Sequence, residues 1–176
     1  ATDGTLTVLR NLNSASDGAY HQSDLIQAKN GSFYGTCYGG GQYGNGTIFK
    51  ITSGGVFTVV KHLSVSVDGG YPYAGLMQNT DGNFYGITRT GGPKSGGTIY
   101  KLTTGGNFTV IHALDYNNEG STSSSVLTRG TDGSLYAMAS RRGPFNYGII
   151  FKTTTAVAFT ILDNFNGSSK GNSPYS

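Results

Sequence analysis

The sequence predicts an all-β fold of four-stranded antiparallel blades of the β-propeller type, in three 51-residue repeats with an extra N-terminal strand. The repeat is the first reason. Thr7, Thr58, Thr109 and Thr160 stand in one phase, 51 residues apart, as do Gly18, Gly69, Gly120 and Gly171. A fixed period of this size marks one supersecondary unit used several times. Composition is the second reason. Of 176 residues 29 are glycine, 12% are aromatic and 12% are charged, too aromatic for a disordered chain and too glycine-rich for a helical one. The third is that no segment sustains a helical period, whereas short β-branched and aromatic runs recur between turn signals.

Four runs fill each period. The first is Leu25-Ile26-Gln27, matched by Leu76-Met77-Gln78 and by Val126-Leu127-Thr128. The second begins Phe33-Tyr34-Gly35 and returns as Phe84-Tyr85-Gly86 and Leu135-Tyr136-Ala137. Asn30-Gly31, Asp81-Gly82 and Asp132-Gly133 join these two runs, and such pairs favour tight hairpins because both residue types tolerate positive φ. The third run is Thr47 to Ile51, Thr98 to Leu102 and Ile149 to Thr153. After a further turn the fourth is Phe57 to Val60, Phe108 to Ile111 and Phe159 to Leu162. One domain therefore spans 1–176, with blade one at 24–63, blade two at 75–114, blade three at 126–165 and a C-terminal tail at 166–176.

The fourth run occurs once more than the others. Leu6-Thr7-Val8-Leu9 is an additional copy, within an extra strand at 5–12 whose apolar side chains are Leu6, Val8, Leu9 and Leu12. Three blades are too few for a closed ring, and blade three already has its own fourth strand. A surplus strand and two open blade faces predict association. Leu6, Thr7, Val8, Leu9 and Leu12 form the expected self-assembly strand. The outcome is two chains closing a six-bladed ring, a head-to-tail filament, or one piece of a longer propeller.

The segments Gly31-Ser32-Phe33-Tyr34-Gly35-Thr36, Gly39-Gly40-Gly41 and Gly46-Thr47-Ile48-Phe49-Lys50-Ile51 resemble the GloVer tandem repeat, named for Gloeobacter and Verrucomicrobia. The resemblance covers the whole chain. The third repeat departs from it at Ala137, Ile149 and Arg141-Arg142-Gly143. The runs also resemble the blades of sensor-kinase propellers. The family resemblance implies a secreted or surface-anchored bacterial protein, and it brings no catalytic residues.

Gly39-x-Gly41-x-x-Gly44 matches a dinucleotide fingerprint in letters, but it leads into a strand and so offers no helix N-terminus for a pyrophosphate. His21, His62 and His112 occupy different phases and form no metal-ligand spacing. Asp17, Asp68 and Glu119 precede the in-phase glycines and are candidates to line one rim and bind calcium, but the Asp-x-Asp spacing of a calcium loop is absent. No Ser–His–Asp arrangement is present in local context. Cys37 is the only cysteine, so no intrachain disulfide is possible, and it reads as a buried, inert thiol with an intermolecular bridge as the lesser alternative. Net charge is +3, and Arg141-Arg142 is the only adjacent basic pair, which argues against a nucleic-acid partner. No apolar stretch is long enough for membrane insertion.

The sequence thus predicts no enzyme, no cofactor and no metal. It predicts an extracellular structural protein that forms a homo-oligomer or homopolymer through terminal strand exchange and blade-face packing. The alternative is a cell-surface binding module for a glycan or a protein, using rim tyrosines Tyr20, Tyr71, Tyr73, Tyr116 and Tyr175.

Overall fold

The structure, a computed structural model, describes residues 4–123 and 125–174. Among the described residues twelve strands form three four-stranded antiparallel sheets, each an up-and-down meander. The first sheet holds β1 (Ile26–Gln27), β2 (Phe33–Cys37), β3 (Thr47–Ile51) and β4 (Phe57–His62). The second holds β5 (Met77–Gln78), β6 (Phe84–Ile87), β7 (Ser95–Leu102) and β8 (Phe108–Asp115). The third holds β9 (Thr128–Arg129), β10 (Leu135–Ala139), β11 (Ile149–Thr153) and β12 (Phe159–Asn164).

One sequence expectation is off by a residue. The first strand of the third blade is Thr128–Arg129 rather than Val126-Leu127-Thr128. Strict phase wins over apolar content: Leu127 takes the buried place of Leu76, while Val126 is 45% exposed. The extra N-terminal copy also differs from expectation, because none of the twelve strands falls within residues 5–12.

The turns follow from their residues. Gly31, Gly82 and Gly133 stand at φ near +80°, in the left-handed region that a tight hairpin needs. The preceding Asn30, Asp81 and Asp132 each accept a backbone N–H from two residues on, at 3.0 Å. Tyr85 and Tyr136 donate their hydroxyls to Asp81 and Asp132 at 2.7 and 2.9 Å. These carboxylates are turn-makers. Burial pushes the Asp81 carboxyl up, but its hydrogen bonds from Asn83 and Tyr85 outweigh that and hold it below the usual range.

A bulge recurs in every blade between the third and fourth strands, at Ile48/Phe49, Ile99/Tyr100 and Ile150/Phe151. It adds twist at the blade's outer edge. Side chains then alternate between the two faces of each sheet. The core lies between sheets, in two clusters. One face of blade one (Tyr34, Ile48, Val60) packs on Leu76, Phe84, Tyr100 and Leu102 of blade two. The equivalent face of blade two (Tyr85, Ile99, Ile111) packs on Leu127, Leu135 and Phe151 of blade three. Cys37 is fully buried against Gly18, in the link that leads into blade one, and burial pushes its thiol pKa up.

Candidate functional site

Two regions stand out, an open seam at each end of the array and a polar cleft on one rim. The chain repeats the seams internally. At the seam between blades one and two, Lys61 reaches Asp68 at 2.8 Å and lies 5.0 Å from the Phe108 ring centroid. One period later His112 is 2.9 Å from Glu119 and stacks on Phe159 at 4.2 Å with the rings nearly parallel. One period earlier Arg10 binds Asp17 at 2.6 Å and lies 5.2 Å from the Phe57 ring. A base, an acid seven residues on and an aromatic ring 47 residues on thus make the same clasp three times.

Among the described residues no blade lies on the near side of the first clasp. Arg10 and the half-buried Leu12 lie on blade one as the fourth strand of a preceding blade would. With Leu9, Leu25, Phe33, Phe49 and Phe57 they line a largely apolar groove of about 360 Å³. Leu6, Val8 and Leu9 are 88%, 65% and 50% exposed. Burial raises the Asp17 carboxyl, yet hydrogen bonds from Arg10, the Asn13 N–H and Ser16 prevail and its pKa falls below the usual range.

The far end repeats the clasp with its charges reversed. Asp163 stands in the phase of Arg10 and Lys170 in that of Asp17, and they pair at 2.6 Å. The Lys170 hydrogen bond holds the Asp163 carboxyl low. On this outer face Tyr136 and Ile150 are half-buried and Leu162 is 46% exposed, whereas the equivalent Ile111 is 8% exposed. The opposite face shows the same contrast: Leu25 is 52% exposed, its equivalents Leu76 and Leu127 5% and 1%. The chain therefore exposes both halves of the interface that it buries twice internally.

The second region lies at the ends of the blades away from the hairpin turns. There the links between blades meet the loops joining second to third strands. Tyr38, Tyr71, Arg89, Tyr116, Arg141 and Arg142 are among the residues lining a cleft of about 450 Å³. Tyr38 packs on Tyr71 at 5.3 Å and edge-on against Tyr73 at 6.1 Å. Of the expected rim tyrosines, Tyr71 and Tyr116 line this cleft, while Tyr73 meets it only through Tyr38 and lines a separate hollow with Leu25, Leu76 and Val126. Tyr20 is 72% exposed on its own blade's rim, and Tyr175 lies outside the described residues. The backbone bends sharply at this rim: Tyr20, Tyr71, Thr122 and Ser173, all in one phase, have φ of 56°, 57°, 59° and 44°. Arg89, Arg141, Arg142 and Tyr38 were not expected as cleft residues. The adjacent Arg141-Arg142 pair was the only sequence signal for any of them.

The remaining candidates resolve individually. Gly44 donates its N–H to the Gly41 carbonyl at 3.0 Å, so the glycine-rich motif is a loop between β2 and β3. His62 Nδ1 accepts the Gln42 N–H at 3.2 Å, and His21 lines the blade-one groove. Among the described residues no three metal-ligating side chains cluster, and Asp17, Asp68 and Glu119 each belong to a separate clasp.

Comparison with known proteins agrees with this architecture. A family model described as the Gloeobacter/Verrucomicrobia repeat matches residues 1–176. No curated protein matches the chain. A crystal structure provisionally described as that of a gluconolactonase superposes with a TM-score of 0.53 at 11% identity, covering 83% of this chain and 49% of its own. At that identity the likeness concerns the fold, that of a six-bladed propeller. A Dyadobacter fermentans protein of unknown function matches at 14% identity and a TM-score of 0.49, covering 84% of this chain and 55% of its own. The chain spans about half the length of these solved structures.

Proposed function

The chain belongs to the Gloeobacter/Verrucomicrobia repeat family, and on that premise we propose that it is an extracellular structural protein that self-assembles through its terminal strand and blade faces. The observation that carries this reading is the pair of open faces, each equivalent to a surface buried between blades. A second copy offers the complementary face to each. Such a contact is heterologous, so it closes into a ring or runs on as a filament according to its rotation.

The reversed end clasp gives the exchange a direction. If β12 of a neighbour took the seat of residues 5–12, Asp163 would face both Phe57 and Asp17. It would replace a cation on an aromatic face with an anion beside a carboxylate, at a cost of about 1 kcal/mol or more. If residues 5–12 keep their seat and pair with the neighbour's β11, Arg10 stays on Phe57 and β12 is displaced. In that register Leu6 would oppose Thr153, and Val8 would oppose Phe151, as Phe159 and Ile161 do within the chain. Main-chain hydrogen bonds then add to the burial of Leu6, Val8 and Leu9.

The test is electron microscopy of the purified chain, with the mass of dissociated chains measured alongside. Rings or filaments built from 18.4 kDa chains are expected, and removal of residues 1–12 is expected to abolish them. Monomers at all concentrations, or assembly that survives the truncation, would sink strand donation.

A second reading is favoured by the gathering of Tyr38, Tyr71, Tyr73 and Tyr116 at one rim. Phenol rings held by a rigid scaffold stack well on sugar rings or on protein side chains. On this reading the protein is a cell-surface binding module for a glycan or a protein.

A further inference from the structure

The rim cleft carries a charge that its tyrosines do not require. Arg89, Arg141 and Arg142 converge on it, and among the described residues no aspartate or glutamate lines it. Among the described residues none of the three is in an ion pair. Two are held by neutral groups instead. Arg89 donates from Nη1 to the Tyr38 hydroxyl at 3.0 Å, and the Arg142 guanidinium lies 4.6 Å from the Tyr116 ring centroid. A carboxylate partner would cancel the charge, whereas a phenol and a ring face orient it and leave it available.

Arg142 also stands at φ 64°, in a position filled by Gly40 and Gly91 in the other repeats. The left-handed region disfavours any side chain there, and such outliers concentrate at ligand sites. The third repeat thus departs from glycine where departure adds a cation to the cleft. The hollow continues beyond these residues: Arg141 and Arg142 also line a neighbouring one of about 440 Å³ with Asn146, Tyr147 and Asn172.

We infer that this groove binds an acidic glycan, a chain of sugar rings bearing carboxylate or sulfate groups. Arg89, Arg141 and Arg142 take the acid groups and Tyr71 and Tyr116 take the ring faces. The inference rests on the rim-binding reading and adds the charge of the ligand to it. A guanidinium fork matches a carboxylate or sulfate with two parallel hydrogen bonds, and an elongated groove suits a polymer more than a free ion.

Calorimetric titration of the full chain tests this with four probes: tetragalacturonate, its methyl ester, a sulfated carrageenan tetrasaccharide, and sodium sulfate. Saturable binding of either charged oligosaccharide is expected, at least about tenfold tighter than the methyl ester and weakened by added salt. Tetragalacturonate or the sulfated probe binding alone identifies the acid group. Loss of at least about tenfold in Arg89→Gln/Arg141→Gln/Arg142→Gln, with thermal unfolding unchanged, places the site. Equal binding of the ester and the acid, lost on Tyr116→Ala, would overturn the charge while keeping the rim-binding reading. No binding of any oligosaccharide would overturn both, and sodium sulfate displacing the oligosaccharides at equal concentration would reduce the site to an adventitious ion only.

Discussion

Val157 shows what a single residue tolerates within a repeated frame. It stands at φ 76°, in the phase of Gly55 and Gly106, which close the same turn at 84° and 91°. A β-branched side chain is poorly suited to that region, and Val157 is half exposed, so little packing offsets the strain. Val157→Gly is expected to stabilise the chain by about 1 kcal/mol, less the extra unfolded-state entropy of glycine. Thermal unfolding measures it, and a fall in midpoint would show that the turn has no strain to relieve. Asp81 and Asp132 make the same point from the other side. Their turn role was legible because Asn30 does the same work in the first repeat with a neutral side chain. The cleft arginines were not legible, because Arg89 shares its phase with Tyr38 and Ser140, and Arg141 with Gly39 and Thr90. No letter repeats there, and only the folded rim brings them together.

At the scale of the element, the link between blades depends on a glycine and a hydroxyl. Gly69 stands at φ 76°, and a Cβ there would collide with the Thr88 hydroxyl and press on Thr98. Thr98 Oγ1 donates to the Asp68 carbonyl at 2.6 Å, and Thr47 Oγ1 donates to the Asp17 carbonyl at 2.7 Å. The link is thereby tied to the third strand of the blade it leads into, fixing the clasp acid beside its base. Gly69→Ala is expected to cost about 2–4 kcal/mol, from backbone strain and overpacking together. Gly171, in the same phase, has open space around its Cβ position, so Gly171→Ala costs only the strain, about 1 kcal/mol. Chemical denaturation of the two variants separates the contributions; equal losses would exclude the steric part. Strands and turns were readable because their signals are local. The clasp was not, since its members repeat by chemical class rather than by letter: Arg, Lys and His against Asp, Asp and Glu. Its aromatic partner also lies a whole strand arrangement away.

At the scale of the molecule, the assembly we propose is made directional by the reversed clasp, and that direction can be rewritten. A chain lacking residues 1–12 leaves Asp17 and Phe57 facing an incoming β12 that carries Asp163. Adding Asp163→Arg to that truncated chain is expected to restore assembly, because an arginine then meets both the carboxylate and the ring. Sedimentation velocity reads the result. Continued failure of the truncated Asp163→Arg chain would mean that the clasp does not select the strand. The clasp has one more consequence. Because the base, acid and ring of the three like-signed clasps recur on one unbroken period, removal of residues 64–114 would set Lys61 beside Glu119 and Phe159 without changing another position. Unequal recombination within such a gene can lengthen or shorten the product by whole blades, and every new junction inherits a working joint. The chain is a modular stock from which arrays of different reach can be cut.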